Sequence, residues 1–309
     1  MENRQYIEKI NKLRKEKNAV ILAHNYQRPE IQDIADFAGD SLELSIKAAQ
    51  TKDKIIVFCG VLFMAETAKV LSPSKTVLLP DLNAGCPMAD MINESDVKKL
   101  KSEHENAKVL CYVNSSAVVK AQADLCCTSS NAAKIVEYAF DKKQEIIFIP
   151  DKYLARVVAE KTGRKFIFWD GFCPTHSRIL PEEINALKTK FPDAVTMVHP
   201  ECTKEICDIA DEILSTGQMS VFAKKSSTKT FIIGTEEGML HRLQKENPEK
   251  KFILASKNAT CPNMKKITLE KLANSLETLS PEIVLDSEII KKAEKSIRDM
   301  VEISKKIMY

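Results

Sequence analysis

The sequence repeats itself at a fixed offset, and no other property restricts its fold as much. Displaced by 175 residues, the N-terminal third lies on the C-terminal third without a gap. Glu30-Ile31-Gln32-Asp33-Ile34-Ala35-Asp36 then meets Glu205-Ile206-Cys207-Asp208-Ile209-Ala210-Asp211 with six of seven positions identical. The same shift places His24 on His199, Met64 on Met239, and Cys86-Pro87 on Cys261-Pro262. Half the shift finds a weaker middle copy. Ala35-Asp36, Ala123-Asp124 and Ala210-Asp211 are spaced by 88 and then 87, and the Cys-Pro pairs at 86, 173 and 261 by 87 and then 88. The chain therefore reads as three copies of one unit, over 1–92, 93–180 and 181–267, followed by a helical extension over 268–309.

Within each copy, short β-rich runs alternate with amphipathic helical stretches. Val20–Ala23, Ile55–Cys59 and Thr76–Leu79 are the runs of the first copy; Val109–Val113, Ile146–Ile149 and Phe166–Trp169 those of the second; Val195–Val198, Phe231–Ile233 and Phe252–Leu254 those of the third. Such alternation predicts βαβ units and parallel sheets covered on both faces. The predicted fold class is α/β: three homologous three-layer αβα domains with parallel sheets around a pseudo-threefold axis. Helices are predicted over 94–105 and 182–190, with one or two more after Pro281.

Composition removes several function classes. Forty-six basic and 43 acidic residues leave a net charge of +3, so no global field draws the chain to nucleic acid or a membrane surface. No run approaches the roughly 20 apolar residues that span a bilayer, and the charged start has no signal-peptide core. These features predict a cytoplasmic protein. Nine cysteines in a reducing compartment point to metal ligands or buried thiols, not disulfides.

Parallel sheets gather ligand groups at the carboxyl ends of their strands. By the repeat spacing, His24, Tyr112 and His199 are equivalent there, as are Tyr26, Asn114 and Glu201. Ser41, Ser129 and Thr216 form a third set, and Cys86, Cys173 and Cys261 a fourth. Around a pseudo-threefold axis all twelve would face one cavity. Taken singly, each histidine reads as an ordinary strand-end residue. Paired with Tyr26 and Glu201 two residues on, both read as active-site groups whose side chains share a face. The three hydroxyls read as helix N-caps, as anion-binding groups, or as both. His104 and His241 fall in charged helical stretches and are predicted to face solvent.

Cys59, Cys111, Cys126, Cys127, Cys202 and Cys207 read as small buried hydrophobes. The other three differ, because each lies in a loop, precedes proline and recurs in register. Three thiolates with no fourth can hold zinc, or a [4Fe–4S] cluster with one iron lacking a protein ligand. Ligands drawn from three separate units favour the larger group. An iron with an open position is a Lewis acid suited to dehydration, with Tyr26 and Glu201 as proton carriers.

Ala23-His24-Asn25-Tyr26-Gln27, Gly39-Asp40-Ser41, Val113-Asn114-Ser115, His199-Pro200-Glu201-Cys202, Ser215-Thr216-Gly217-Gln218-Met219 and Asn263-Met264-Lys265 together closely resemble the quinolinate synthase family, as do the three Cys-Pro loops. The resemblance covers about residues 18 to 280 and implies three αβα domains around one [4Fe–4S] cluster per chain. It implies condensation of iminoaspartate with dihydroxyacetone phosphate to quinolinate, phosphate and water, a transferase-type step in NAD (pyridine nucleotide) biosynthesis. Cys86, Cys173 and Cys261 match the family's cluster ligands. His24, Tyr26, Ser41, Tyr112, Asn114, Ser129, His199, Glu201 and Thr216 match its substrate pocket, with Tyr26, Glu201, His24 and His199 as the catalytic set. The resemblance also allows channelling from an iminoaspartate-producing enzyme. Closely spaced C-terminal cysteines of the longer family members are missing, so the chain resembles the short form. Two other readings stay open: a cluster-dependent hydro-lyase acting on a hydroxy-dicarboxylate, and a non-catalytic zinc scaffold.

Overall fold

A computed structural model describes residues 2–308 of the chain. The first unit runs α1 (Glu2–Glu16), β1 (Ala19–His24), α2 (Pro29–Ile34), β2 (Phe37–Gly39), α3 (Ser41–Gln50), β3 (Ile55–Cys59), α4 (Leu62–Leu71) and β4 (Thr76–Leu78). The second runs α5 (Glu94–Glu103), β5 (Lys108–Tyr112), α6 (Ala117–Lys120), β6 (Leu125–Cys127), α7 (Ala132–Ala139), β7 (Ile146–Ile149), α8 (Lys152–Thr162) and β8 (Ile167–Phe168). The third runs α9 (Pro181–Lys190), β9 (Val195–Val198), α10 (Lys204–Ile209), β10 (Glu212–Ile213), α11 (Thr216–Lys225), β11 (Thr230–Gly234), α12 (Met239–Glu246) and β12 (Lys251–Leu254). Two further helices follow, α13 (Leu269–Thr278) and α14 (Ser287–Met308).

Each unit forms a four-stranded, wholly parallel sheet, and the strand order is the same in all three: β2-β1-β3-β4, β6-β5-β7-β8 and β10-β9-β11-β12. The central strands are predominantly apolar and buried over most of their length, as helices on both faces require. The second strand of each sheet is two or three residues long, too short for β2 and β10 to show a period of their own in the sequence.

The repeated Ala-Asp pair explains how so short a strand stays in place. Asp36, Asp124 and Asp211 each precede or open the edge strand. Their carboxylates accept the main-chain N–H of Ile21, Val109 and Thr196 at 2.8, 2.8 and 2.7 Å. In return their own N–H groups donate to the carbonyls of those residues at 2.9, 3.0 and 3.0 Å. Each aspartate thus takes up a donor on the neighbouring central strand that the short edge strand does not reach. The most persistent mark of the repeat is a structural clasp.

The segment after the third cysteine loop differs from expectation. One of its helices, α13, lies before Pro281, and it begins eight residues after Cys261, as α5 and α9 begin eight residues after Cys86 and Cys173. It packs on α1. The last helix, α14, crosses the second unit and lies along edge strand β6. Ala293, Ile297, Met300 and Val301 bury its apolar face in that unit's core. Among the described residues no helix is long and apolar enough to cross a membrane.

Asp124→Ala should lower the thermal midpoint, because an N–H···carboxylate bond contributes about 1.5–3 kcal/mol. Lys108→Ala removes only the exposed partner of the same carboxylate (3.2 Å) and should cost about 1 kcal/mol or less. Scanning calorimetry on the two variants gives the comparison. Equal losses would show that the main-chain clasp is not what matters.

Candidate active site

All twelve predicted side chains line one cavity of about 130 Å³ at the meeting point of the three units. His24 ends β1, Tyr112 ends β5, and His199 directly follows β9. Tyr26 and Glu201 lie beyond the strands in turns, and Asn114 in a bend. Their shared direction therefore does not come from the pleat, as the sequence reading had it. The chain doubles back, with Gln27 N–H on the His24 carbonyl and Cys202 N–H on the His199 carbonyl, both at 2.9 Å. Inside each turn the imidazole Nδ1 accepts the N–H two residues on: Tyr26 to His24 at 3.1 Å and Glu201 to His199 at 3.3 Å.

That bond fixes the tautomer. With Nδ1 accepting, the proton sits on Nε2. Burial, with help from His199, lowers the His24 pKa to about 3, and burial likewise lowers that of His199 to about 3. Both rings are thus neutral hydrogen-bond donors at physiological pH.

Glu201 is the hub. Only 3 % of it is exposed. Its Oε1 accepts the Tyr112 hydroxyl at 2.7 Å and Asn114 Nδ2 at 3.1 Å, and its Oε2 lies 2.9 Å from His176 Nδ1. Burial pushes its pKa up, but His199, His176 and the Tyr112 hydroxyl outweigh burial and hold it at about 2. From Glu201 a line of polar atoms leads to Tyr26. His176 Nε2 is 2.8 Å from Thr235 Oγ1, which is 2.5 Å from the Tyr26 hydroxyl. With His176 Nδ1–H given to Glu201, Nε2 accepts from Thr235 and Thr235 accepts from Tyr26. All the donors point one way, and the phenol sits at the far end of a path ending on an ionised carboxylate.

The hydroxyl set is not a set of caps. Asp40 and Ser215 cap α3 and α11, their side chains accepting helix N–H groups, so Ser41 and Thr216 are the first helical residues. Asn131 stands at the α7 cap position, leaving Ser129 two residues upstream. The three hydroxyls are spared capping duty and remain at the cavity.

The Cys-Pro loops share one construction. Main-chain N–H groups two and three residues on favour the thiolate form of each cysteine: Met88 and Ala89 for Cys86, Thr175 and His176 for Cys173, Asn263 and Met264 for Cys261. A short 3₁₀ turn follows every time, over Ala89–Met91, His176–Arg178 and Met264–Lys266. Proline, which has no N–H, fills the one position whose donor is not needed. Buried Glu236 anchors the third loop, accepting Cys261 N–H at 3.0 Å and Gly238 N–H at 2.7 Å. Lys265 pairs with Glu236 at 2.9 Å and donates to the Tyr26 carbonyl at 2.8 Å. Gly238 admits this approach, since a Cβ there would come within 2.7 Å of the Tyr26 carbonyl carbon.

Burial raises all three thiol pKa values, that of Cys86 to about 12. Without a cation the sulfurs stay protonated, whereas the N–H groups aimed at them favour thiolate. A positively charged metal group resolves that opposition, so the donor set fits one. Cys173, His176 and Glu201 also lie within 4.8 Å of one another through their ligand atoms. The remaining six cysteines are buried free thiols, as expected. His104 and His241 lie away from the cavity and are half-buried. His241 sits 3.0 Å from Asp33.

The profile of the family described as NadA, quinolinate synthetase A protein, matches residues 8–302. A quinolinate synthase of Dehalococcoides mccartyi strain CBDB1 is 52 % identical over 295 residues, covering 96 % of this chain and 97 % of that one. One from Alkaliphilus metalliredigens strain QYMF is 50 % identical over 304 residues, covering 98 % and 100 %. The chain belongs to the quinolinate synthetase A family. Among solved structures, an E-1-hydroxy-2-methyl-but-2-enyl-4-diphosphate reductase from Plasmodium falciparum covers 87 % of this chain and 82 % of its own, at 13 % identity and a TM-score of 0.30, too slight a likeness to carry weight.

For a quinolinate synthetase A protein, the sequence reading omitted His176, Thr235 and Glu236. His176 follows Cys173 by three, where the other loops carry Ala89 and Met264. A departure from the repeat inside its best-kept motif was the available signal. Thr235 and Glu236 follow the apolar run of β11 and have no such mark.

The two depressed histidines give a pH dependence with a definite sign. Unfolded, both titrate near their ordinary value of about 6.5. Between that pH and about 3 the unfolded chain binds more protons, so stability falls as pH falls. His24→Gln should flatten part of this slope, read as the difference in urea midpoint between about pH 7 and about pH 5. An unchanged slope would mean that His24 is not buried as a neutral ring.

Proposed function

We propose that this chain condenses iminoaspartate with dihydroxyacetone phosphate, using a [4Fe–4S] cluster on Cys86, Cys173 and Cys261 with one iron free of protein ligands. Quinolinate synthesis for NAD is the activity of its family, and its relatives by that name are half identical over nearly the whole chain. The carrying observation is the shared cavity, where three like thiol loops meet three uncapped hydroxyls and two neutral imidazoles. Held by Cys86, Cys173 and Cys261, such a cluster would supply Lewis-acid chemistry that eases loss of water from the substrate.

The chain's own groups divide the remaining work. Ser41, Ser129, Thr216 and the Nε2–H groups of His24 and His199 donate to carboxylate and phosphate oxygens. Donors without net charge bind anions and still release an anionic product. Tyr26 exchanges a proton with substrate carbon or oxygen. When its hydroxyl gives up its hydrogen, the proton passes through Thr235 to His176 Nε2, and Glu201 balances the imidazolium that forms. Tyr112 and Asn114 keep Glu201 charged and oriented. Asn114 Oδ1 has no protein partner and can accept from a substrate N–H or O–H.

A second reading rests on the proximity of Cys173, His176 and Glu201, which could hold a single metal ion. Colour and metal content separate the two. Anaerobically purified protein should be brown and contain iron, and should make quinolinate and phosphate from the two substrates. Colourless protein with stoichiometric zinc would sink the cluster assignment. Replacing any one of Cys86, Cys173 and Cys261 by Ala should strip the iron, while Cys126→Ala should retain it. Tyr26→Phe should keep the iron and lose about 10²–10⁴-fold in turnover.

A further inference from the structure

We infer that Arg242 and Asn25 form a polar relay that sets the direction of the Thr216 hydroxyl, making it a hydrogen-bond donor to an anionic group in the cavity. Arg242 Nη1 donates to Asn25 Oδ1 at 2.8 Å, and Asn25 Nδ2 donates to Thr216 Oγ1 at 2.9 Å. A guanidinium has donors and no acceptor. The Asn25 oxygen must therefore face Arg242, and its NH₂ must face Thr216. Thr216 is then an acceptor on that side. Its single hydrogen remains for the cavity, which Thr216 lines.

The relay is held at every joint. Asn25 is fully buried, Thr216 is 2 % exposed, and the Arg242 side chain is 16 % exposed. Asn25 N–H is pinned to the Gly39 carbonyl at 3.0 Å. Arg242 is clamped by Glu246 at 2.8 Å through Nε and by Glu43 at 3.2 Å through Nη1. Glu43 in turn accepts Asp40 N–H at 2.8 Å in the capping box of α3. The path starts on α12, crosses to the turn after β1, and ends at the start of α11. It thereby ties a binding hydroxyl of the third unit to the first.

The repeat shows that the fold does not demand this amide. The positions equivalent to Asn25 are Val113 and Pro200. Among the described residues, no side-chain amide donates to the Ser41 or Ser129 hydroxyl as Asn25 does to that of Thr216. Thr216 alone has a fixed polarity. Its ligand is a carboxylate or phosphate oxygen, which takes a hydrogen and repels a lone pair. Arg242 and Asn25 are positioning residues that act through Thr216.

This rests on the reading that Thr216 touches substrate or product, and the test separates the two. Asn25→Asp keeps shape and the Arg242 pairing but has no hydrogen to give, so Thr216 must turn its own toward the new carboxylate. Quinolinate binding by titration calorimetry and KM for both substrates are measured anaerobically in wild type, Asn25→Asp, Thr216→Val and the double variant, with iron content and melting temperature as controls. Asn25→Asp should weaken quinolinate binding and raise KM by about tenfold or more in the wild-type background. In the Thr216→Val background it should add less than about twofold. An equal penalty in both backgrounds would overturn the relay, since a new negative charge would then act directly. No effect of Thr216→Val would refute the substrate-contact reading itself. Should Asn25→Asp fold poorly, Arg242→Met against Arg242→Lys replaces it. Lys, still donor-only, should retain binding and Met should weaken it, and equal values for the two would reject the relay.

Discussion

A carboxylate cannot remain charged in a closed cavity unless donors replace the water it has lost. The desolvation cost of such an ion is on the order of several kcal/mol. Glu201, a residue of the third unit, meets that condition with donors that all come from the second: Tyr112, Asn114 and His176. Splay the units apart and the charge would be stranded. The junction of the second and third units and the chemistry of the cavity are thus one feature. The first unit joins through Tyr26, whose hydroxyl reaches Thr235 of the third, and through Asn25.

The cysteine loops obey a related logic. A buried thiol prefers its proton, and main-chain N–H groups pointed at sulfur prefer the thiolate. Three copies of that conflict in one cavity leave the unloaded protein with donors and no charge to receive them. Metal binding and closure of the loops should therefore be coupled. The Trp169 indole donates to the Met91 carbonyl at 2.8 Å and Lys265 donates to the Tyr26 carbonyl at 2.8 Å, so the loops are tied across neighbouring units.

Much of this could be read from the sequence, and the reasons for what could not are physical. The repeat located the strand ends that carry the cavity groups and all twelve cavity residues, because a parallel sheet uses equivalent positions for equivalent purposes. Edge strands β2 and β10 were invisible, since two or three residues carry no periodicity. What held them, the aspartate clasp, was in plain view but looked like a mere spacing marker. The hydroxyls were open to a capping role that Asp40 and Ser215 perform instead. The shared direction of His24 with Tyr26, and of His199 with Glu201, was anticipated on the wrong ground, a pleat in place of a turn. His176 and Thr235 were missed because symmetry was the search tool, and neither obeys it.

That last failure points to how a threefold frame makes an asymmetric catalyst. Matched positions give matched shape: three strand ends, three helix starts, three thiols. A reaction that moves protons in one direction needs unlike groups at those positions. Tyr26, Asn114 and Glu201 occupy one equivalent set, yet one is a weak acid, one an amide and one a carboxylate. His176 replaces Ala89 and Met264, and Asn25 replaces Val113 and Pro200. Each departure adds a polar group where the other copies need none, and each falls on a hydrogen-bonded path into the cavity. The repeat accounts for where the cavity is. Its violations account for the direction in which hydrogens point inside it.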